Sequence, residues 1–291
     1  MSDSDTSQTS QLEAPRFARE VQRHRLAPRT ATVIEVGSPA TDVARITFSG
    51  ADFHDFASTG PADHVKLLFP DPTTGILSAP SIQADGSIVR PDAPLISRDY
   101  TPLNVRLDGA AGIGTFDVDF MLHENQGPAT AWAASAKVGD TIVAMGPKGS
   151  RAAPHDIDGI LLVADATALP SVSRWIGDVD DSVSITLVAS VDNDAEWVRH
   201  YLGDALTGKE VTIIRVDTNG DAVLAAVQAL GPIGSGTFVF GGAESTSLIP
   251  FRKHLKYTLE LPREQFALSG YWRRGTVALN HHAPIDETDP D

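Results

Sequence analysis

The chain has 291 residues, with 38 acidic against 23 basic side chains and a formal net charge of −15. This charge argues against binding to nucleic acid or to an anionic membrane. The lack of cysteine excludes disulfides, thiolate zinc sites, cysteine-ligated iron–sulfur clusters and a catalytic thiol. No apolar run reaches the about 18 residues of a membrane span, and the polar, acidic start differs from a signal peptide. We therefore expect a cytoplasmic protein without stable membrane association.

The first half of the chain is predicted to be a β domain. Residues 1–15 have the composition of a disordered tail, and residues 15–29, which carry five arginines, are predicted to form a short helix. Between residues 31 and 155, short alternating segments separated by Gly, Pro and Asp predict strands at 30–36, 43–49, 65–69, 98–107, 115–122 and 141–146. One helix interrupts them at 127–136. This pattern predicts a small antiparallel barrel with one inserted helix.

The second half of the chain has a different sequence pattern. Apolar strands are predicted at 159–166, 184–191, 211–216 and 237–242, and helices at 168–178, 195–206 and 221–230. Alternating strands and helices predict a parallel sheet covered by helices. We therefore expect a second, α/β domain at 156–277, followed by an acidic tail at 278–291 whose last residues, 287–291, are disordered.

The segment SRDYTPLNVR, residues 97–106, carries side chains suited to a phosphate-bearing aromatic ligand. Arg98 and Tyr100 point to the same side of a strand, and Pro102 predicts an edge or a bend. Arg98 could form paired hydrogen bonds to a phosphate, Tyr100 could cover an aromatic ring, and the Thr101 hydroxyl could bond a ring nitrogen. From these residues alone, a surface strand with solvated arginines is the favoured interpretation.

The segment from residue 115 to residue 130 allows two interpretations. Asp117, Asp119 and His123 share one face of the predicted strand and could hold a non-thiolate metal such as iron. Alternatively, a phosphate-bearing cofactor lies across the strand and the next helix. Gly127 and Pro128 suit the N-cap and first helical positions, and the small residues that follow leave the N–H groups open to an anion.

Several motifs in this order resemble the siderophore-interacting proteins, flavin-dependent ferric-siderophore reductases of the ferredoxin-reductase superfamily. They are R-x-Y-T at 98–101, D-F-M-L-H at 119–123, G-P-A-T at 127–130, W-A-A-S-A at 132–136, G-P-K-G-S at 146–150, D-A-T-A-L-P at 165–170 and G-Y-W-R-R-G at 270–275. The resemblance covers roughly residues 30–277. It implies a two-domain, ferredoxin reductase-like fold, with an FAD-binding antiparallel β-barrel followed by a parallel-sheet nicotinamide-binding domain.

The resemblance also implies roles for individual residues. Arg98 would hold the FAD pyrophosphate, Tyr100 would pack on the flavin or its ribityl chain, and Thr101 would bond near N5. The other residues implied for FAD are Asp119, Phe120, His123, Gly127, Pro128, Ala129 and Thr130. The candidates for the nicotinamide donor are Asp165, Thr167, Gly242 and Glu244, whereas Trp272 and Tyr271 would shield the flavin or contact the substrate. Packing of the C-terminal segment into the core is an alternative role for Trp272 and Tyr271.

The second domain departs from the family pattern in one turn. The family commonly has G-D-E-T-A-L-P, whereas this chain has Ala164 and Ala166 in place of the glycine and the glutamate. For Gly242 and Glu244, a tight strand-to-helix connection is an alternative to nucleotide binding. The predicted second strand of the sheet ends in the acidic run 192–196, which would repel the 2′-phosphate of NADPH. We therefore expect NADH as the favoured donor.

Basic residues are the candidates for binding the substrate. The resemblance implies that a small basic cluster holds the ferric chelate. Lys66, Lys148 and Arg273 match the family's positions loosely, with Arg274 or Arg151 as substitutes. We expect a ferric siderophore as substrate, electrons passing from NAD(P)H through FAD to Fe(III), and a monomer that binds no nucleic acid. Two alternatives are a general flavin or ferric reductase and a non-enzymatic ferric-siderophore-binding protein.

Overall fold

The computed structural model describes residues 16–83, 85, 87–108, 113–124, 126–280 and 283–290. Most of its strands lie in two large sheets. The strands of the first half are β1 (Val21–Arg23), β2 (Pro28–Gly37), β3 (Val43–Gly50), β4 (Val65–Phe69), β5 (Ser81–Ile82), β6 (Ile88–Val89), β7 (Ile96–Tyr100), β8 (Leu103–Asp108), β9 (Ile113–Met121), β10 (Thr141–Met145) and β11 (Gly149–Arg151). Helix α1 (Pro128–Ser135) lies between β9 and β10.

Seven of these strands form one antiparallel sheet in the order β7-β4-β10-β2-β3-β9-β8. The sheet curls into a half-barrel around an aromatic core that includes Phe48, Phe116 and Phe120. In β9 the alternation predicted from the sequence is confirmed, because Phe116 and Phe120 are fully buried in this core. Burial of each such side chain stabilises the fold by about 1.5–3 kcal/mol. The segment predicted as one strand at 98–107 divides into β7 and β8 at Thr101–Pro102, as the proline suggested.

The second half forms a five-stranded sheet in which all neighbours are parallel. Its strands are β12 (Gly159–Asp165), β13 (Ser184–Ser190), β14 (Val211–Val216), β15 (Thr237–Glu244) and β16 (Phe266–Trp272), and its helices are α2 (Leu169–Asp178), α3 (Ala195–Leu202), α4 (Gly220–Ala229) and α5 (Ile249–Lys253). The order is β14-β13-β12-β15-β16, so the chain builds outward from β12 in one direction and then returns to its other side. The carboxyl ends of β12 and β15 therefore meet at a topological switch point, where such sheets bind ligands.

Helices cover both faces of this sheet. Trp175 of α2 and Val198 of α3 belong to the core on one face, and Val227 of α4 and Phe251 of α5 belong to the core on the other. A sheet buried on both sides explains why its strands are almost wholly apolar in sequence. No helix among the described residues has the length and apolar character needed to cross a membrane.

The prediction of a helix within 15–29 is wrong, because residues 16–29 contain a turn, the short strand β1 and the start of β2. Residues 21–23 pair with β11 in a short antiparallel ladder. The Arg19 guanidinium lies 5.0 Å from the Trp175 ring centroid and donates to the Ala152 carbonyl oxygen at 2.7 Å. These distant contacts outweigh the local helical preference. The disordered tail predicted for residues 1–15 lies outside the described residues.

The prediction of disorder at the C-terminus is also wrong for residues 287–290, which pack with 283–286 against the α/β unit. Ile285 is buried in the core beside α5. Asp286 forms an ion pair with Lys253, and Asp289 forms ion pairs with Arg252 and Lys256. Opposite charges and one apolar anchor therefore hold the acidic segment in place.

Candidate cofactor and substrate site

Arg98 and Tyr100 of β7 lie on the inner side of the half-barrel. In the ladder Arg98 is opposite Leu67 and Tyr100 is opposite Val65, and both of these β4 residues are fully buried in the barrel core. Directly opposed side chains share a face of the sheet. The Arg98 guanidinium donates to the Ser97 carbonyl oxygen at 2.7 Å and has no carboxylate partner among the described residues, so its charge is available to an anion.

Aromatic side chains support Tyr100 from within the barrel. The ring centroids of Tyr100 and Phe120 are 4.5 Å apart, and the Trp132 ring of α1 lies 6.2 Å from Phe120. Burial raises the pKa of the Tyr100 phenol well above its usual value, which keeps the hydroxyl protonated. Phe120 is fully buried, so it supports Tyr100 from below and does not itself face a ligand.

The N-terminus of α1 is open to an anion. As predicted, Gly127 is the N-cap and Pro128 begins the helix, with no capping side chain and no acidic residue in the first turn. The Thr130 hydroxyl donates to the Gly127 carbonyl oxygen at 3.1 Å, and a Cβ added to Gly127 would meet nothing within 4 Å. The N–H groups of Ala129 and Thr130 and the helix dipole therefore favour a negative group here.

These features fit a phosphate-bearing flavin. Helix α1 packs against β7, so Arg98 and the helix belong to one region of the barrel. A guanidinium without a carboxylate partner, an open helix N-terminus and a buried aromatic platform supply the phosphate and ring contacts that FAD requires. His123 is exposed nearby.

Asp119 lies on the opposite face of the sheet from Tyr100. Its carboxylate accepts two hydrogen bonds from Arg45, each 2.7 Å long, and one from the Tyr201 hydroxyl of α3 at 2.7 Å. The side chain has no exposed surface. Asp119 thus joins the barrel to the α/β unit, and the structure does not bring it to the residues predicted to hold FAD.

The geometry around Asp117 and Asp119 does not support the interpretation of this strand as a metal site. Asp117 accepts a hydrogen bond from the Asn104 amide at 2.7 Å, and Asp119 is occupied by Arg45 and Tyr201. Within the described ranges, no three His, Asp or Glu side chains come together in a group that could hold a metal ion.

The bend at Thr101–Pro102 is a contact between the barrel and the α/β unit. The Arg174 guanidinium of α2 donates to the Pro102 carbonyl oxygen at 3.0 Å and to the Ser58 hydroxyl at 2.8 Å. Tyr271 of β16 interacts with the Thr101 hydroxyl, and burial raises the pKa of its phenol. Sequence reasoning missed Arg174, because one arginine on an amphipathic helix carries no signal of its distant partners.

Four residues predicted to bind cofactors meet at the switch point. Asp165 Oδ1 accepts hydrogen bonds from the Thr167 amide at 2.9 Å and the Thr167 hydroxyl at 2.6 Å. Asp165 Oδ2 accepts from the Glu244 amide and from Trp272 Nε1, both at 2.8 Å. Burial raises the pKa of Asp165, and these donors oppose the rise. The network ties the ends of β12, β15 and β16 and leaves Trp272 39% exposed.

Glu244 and Gly242 stabilise the structure around this network. The Glu244 carboxylate accepts from the Ser247 amide at 2.8 Å and the Arg274 amide at 3.1 Å. Burial raises its pKa, but these and other hydrogen bonds outweigh burial and leave the pKa lowered. A Cβ on Gly242 would lie 2.9 Å from the Ala168 Cβ and from the Tyr271 ring, so the glycine permits close packing.

The backbone at Ala164 does not need the conformational freedom of a glycine. It is fully buried within β12 and pairs with Ala189 of β13 and Gly242 of β15. The departure from the family pattern at this position therefore costs the strand no backbone strain.

The predicted substrate cations differ in what surrounds them. Lys66 forms an ion pair with Asp99 at 2.7 Å, and Arg273 forms one with Glu287 at 2.6 Å. Lys148 and Arg274 are exposed, and neither has an ion-pair partner in the part of the chain that the structure describes.

Comparison with known proteins agrees with this architecture. Residues 32–151 match the profile of the siderophore-interacting FAD-binding domain, and residues 157–275 match the profile of the siderophore-interacting protein. The chain belongs to the siderophore-interacting protein family. A siderophore utilization protein from T. fusca, known by crystal structure, is 33% identical, with a TM-score of 0.77 over 91% of this chain and 100% of its own.

Two curated relatives of this family member are named as reductases. The ferric vibriobactin reductase ViuB of Vibrio cholerae is 24% identical over 269 residues, which cover 91% of this chain and 96% of that protein. The NADPH-dependent ferric-chelate reductase of Escherichia coli is 36% identical over 161 residues, which cover 55% of this chain and 60% of that protein. With the FAD-binding match, these relatives identify this siderophore-interacting protein as an FAD-containing oxidoreductase.

Proposed function

We propose that this protein reduces ferric siderophores, with electrons passing from NADH through FAD to the chelated iron. The proposal rests on contacts that join the candidate flavin site to the candidate donor site. Arg174 and Tyr271, from the α/β unit, fix the Thr101–Pro102 bend at the end of β7, and Trp272 follows Tyr271 directly into the switch-point network. The flavin strand and the donor site are therefore neighbours.

The barrel residues would bind and orient the cofactor. Arg98 and the α1 N-terminus would hold the pyrophosphate, Tyr100 would cover the ring system, and the Thr101 hydroxyl would face the reacting edge. When bound, FAD supplies the conversion of a two-electron hydride donor into single-electron reduction of Fe(III). The protein needs no general acid or base for this reaction, so its contribution is position, charge and exclusion of water.

The switch-point residues would prepare the donor site. Asp165 fixes the indole of Trp272 by accepting its N–H, so that the half-exposed ring has one orientation. In this position Trp272 would shield the flavin. The Glu244 carboxylate would keep Arg274 in place through its backbone amide, which directs the exposed Arg274 side chain toward solvent beside the same region.

NADH is the proposed donor because acidic residues follow β13. Asp192, Asp194 and Glu196 lie in the loop and first turn where a 2′-phosphate would be placed. Arg215 reaches the same loop from β14, but its guanidinium donates to the Val191 and Asn193 carbonyl oxygens and to Asp217. A lower KM for NADPH than for NADH would contradict this assignment.

The proposal is tested by the visible absorption of the purified protein before and after anaerobic addition of NADH. We expect a flavin spectrum that bleaches with NADH and returns when a ferric siderophore is added, with Fe(II) captured by a chromogenic chelator. A flavin that stays oxidised with both NADH and NADPH, in a protein that still binds the ferric siderophore, would favour a non-enzymatic binding protein. Equal rates on simple ferric chelates and ferric siderophores would favour a general ferric reductase.

A further inference from the structure

Arg174 of α2 joins two backbone segments of the half-barrel. Its Nη1 donates to the Pro102 carbonyl oxygen at 3.0 Å and to the Ser58 hydroxyl at 2.8 Å, and its Nη2 donates to the Ser58 carbonyl oxygen at 3.0 Å. The planar guanidinium, with donors fixed in one plane, suits this set of three acceptors better than a lysine ammonium would.

The Thr101–Pro102 bend receives little support from the antiparallel sheet. Both residues lie between the end of β7 at Tyr100 and the start of β8 at Leu103, and a proline has no backbone N–H to donate. The pairing of β8 with β9 is also irregular between Leu103 and Arg106. Contacts from the α/β unit therefore determine where the buried Thr101 side chain lies.

Helix α2 carries Arg174 on a well-anchored backbone. One turn earlier, the Ser171 hydroxyl donates to the Pro61 carbonyl oxygen at 2.8 Å, and the next residue, Trp175, is fully buried in the core. Residues three apart lie on the same side of a helix, so Ser171 and Arg174 both hold the segment around residues 58–61. The guanidinium thus has a fixed base from which to hold the bend.

The Arg174 charge has no ion-pair partner within the described ranges. Burial lowers its pKa, and the charges of Asp63 and Asp178 oppose this effect from a distance. Asp63 is linked to Arg174 only through Ser58, whose hydroxyl donates to Asp63 Oδ2 at 3.0 Å. The same oxygen also accepts from the Ser150 hydroxyl. A positive potential therefore remains at the bend.

Given the flavin site proposed above, we propose that Arg174 is a positioning residue for FAD and that its charge makes bound FAD easier to reduce. Hydride transfer brings two electrons and one proton to FAD, so reduced FAD carries one more negative charge than oxidised FAD, and NADH leaves as NAD⁺. The guanidinium favours the reduced form by its charge. Through the Pro102 carbonyl oxygen it also fixes the neighbouring Thr101 hydroxyl at the reacting edge.

The size of the charge effect follows from Coulomb's law. For two unit charges about 10 Å apart at an effective dielectric constant of about 20, loss of one charge changes an equilibrium about tenfold. The ratio of the Kd for reduced FAD to the Kd for oxidised FAD should therefore rise about tenfold without the guanidinium. For a two-electron couple this corresponds to a midpoint potential lower by about 30 mV.

The test is an anaerobic redox titration of the FAD-loaded protein against a reference dye, together with the rate of bleaching by NADH. Arg174→Gln should raise the Kd ratio about tenfold and slow the bleaching. Arg174→Lys keeps the charge but loses the planar guanidinium, so the ratio should change less than threefold while the bleaching still slows.

Two further variants separate charge from general damage to the fold. Asp178 is exposed one turn after Arg174 on α2, and Asp178→Asn removes a compensating carboxylate. It should lower the Kd ratio about threefold, which raises the potential by about 15 mV. Lys209→Gln is the matched control. The Lys209 side chain is only 12% exposed and donates to the Val179 carbonyl oxygen at 2.7 Å, at the other end of α2, so its loss should change neither the ratio nor the rate.

A Kd ratio within twofold of the unaltered value in Arg174→Gln, or an equal change in Lys209→Gln, would overturn the role of the charge. Unchanged bleaching in Arg174→Lys would overturn the positioning role. If Arg174→Gln does not fold, Asp178→Asn decides, and a potential that does not rise there would overturn the proposal. Each of these results leaves the proposed reduction standing, whereas failure of the unaltered protein to bind FAD would overturn the proposed function as well.

Discussion

Substitution of Arg98 by alanine tests the flavin site most directly. The guanidinium makes one hydrogen bond within the described protein, to the neighbouring Ser97 carbonyl oxygen, so its loss should leave the fold intact. A charged hydrogen-bond pair contributes about 1.5–3 kcal/mol, which corresponds to about 10- to 150-fold in Kd. We therefore expect Arg98→Ala to weaken FAD binding by this factor without changing the thermal midpoint of the apoprotein.

The assay is titration of flavin-free protein with FAD, followed by the change in flavin fluorescence. Arg106→Ala is the matched control, because Arg106 is an exposed arginine of β8, in the same sheet as β7. Arg98→Lys keeps the charge but loses the planar guanidinium. Its Kd for FAD should therefore fall between those of the unaltered protein and Arg98→Ala. An Arg98→Ala protein that binds FAD within twofold of the unaltered protein would refute the placement of the pyrophosphate at Arg98.

Four further predictions concern the fold and its interfaces. Arg45→Ala should lower the free energy of unfolding by about 3–5 kcal/mol, because it leaves the buried Asp119 carboxylate without its cation; a loss in urea below about 1 kcal/mol would contradict this. Gly242→Ala should cost about 1–3 kcal/mol by overpacking, and an unchanged thermal midpoint would show that the strands separate easily there. Trp272→Phe removes one donor from the buried Asp165 carboxylate and should cost about 1.5–3 kcal/mol, with slower anaerobic bleaching by NADH; unchanged stability and bleaching would show that the indole orientation is unimportant. The pKa of Asp286 is lowered from 3.8 to about 2, chiefly by hydrogen bonds from Thr288 and Lys253. The stability difference between the unaltered protein and Asp286→Asn should therefore be complete above pH 3.8 and disappear as the pH falls toward 2, and a pH-independent difference would contradict this ion pair.

Local patterns in the sequence were sufficient for most strands of the two large sheets and for helices α1 to α4, but not for the N-terminal segment or β16. Alternation along β9 identified Phe116 and Phe120 as core residues, and the Gly127–Pro128 pair identified the start of α1. These features depend on neighbours within a few residues, since a strand has a period of two and an N-cap acts within one turn. For the same reason Arg98 and Tyr100 could be placed together on one face of β7.

Only the tertiary structure decided which charged side chains are free. Asp119 and Tyr201 are 82 positions apart, and Asp165 and Trp272 are 107 positions apart, so no local period relates them. The sequence showed Lys66, Arg273 and Arg274 as equivalent basic residues, and the fold neutralises the first two with Asp99 and Glu287. Whether a charged side chain is neutralised depends on the groups that the fold places within a few ångströms of it. For Lys66 and Arg273 the partner lies on another strand or in the C-terminal segment.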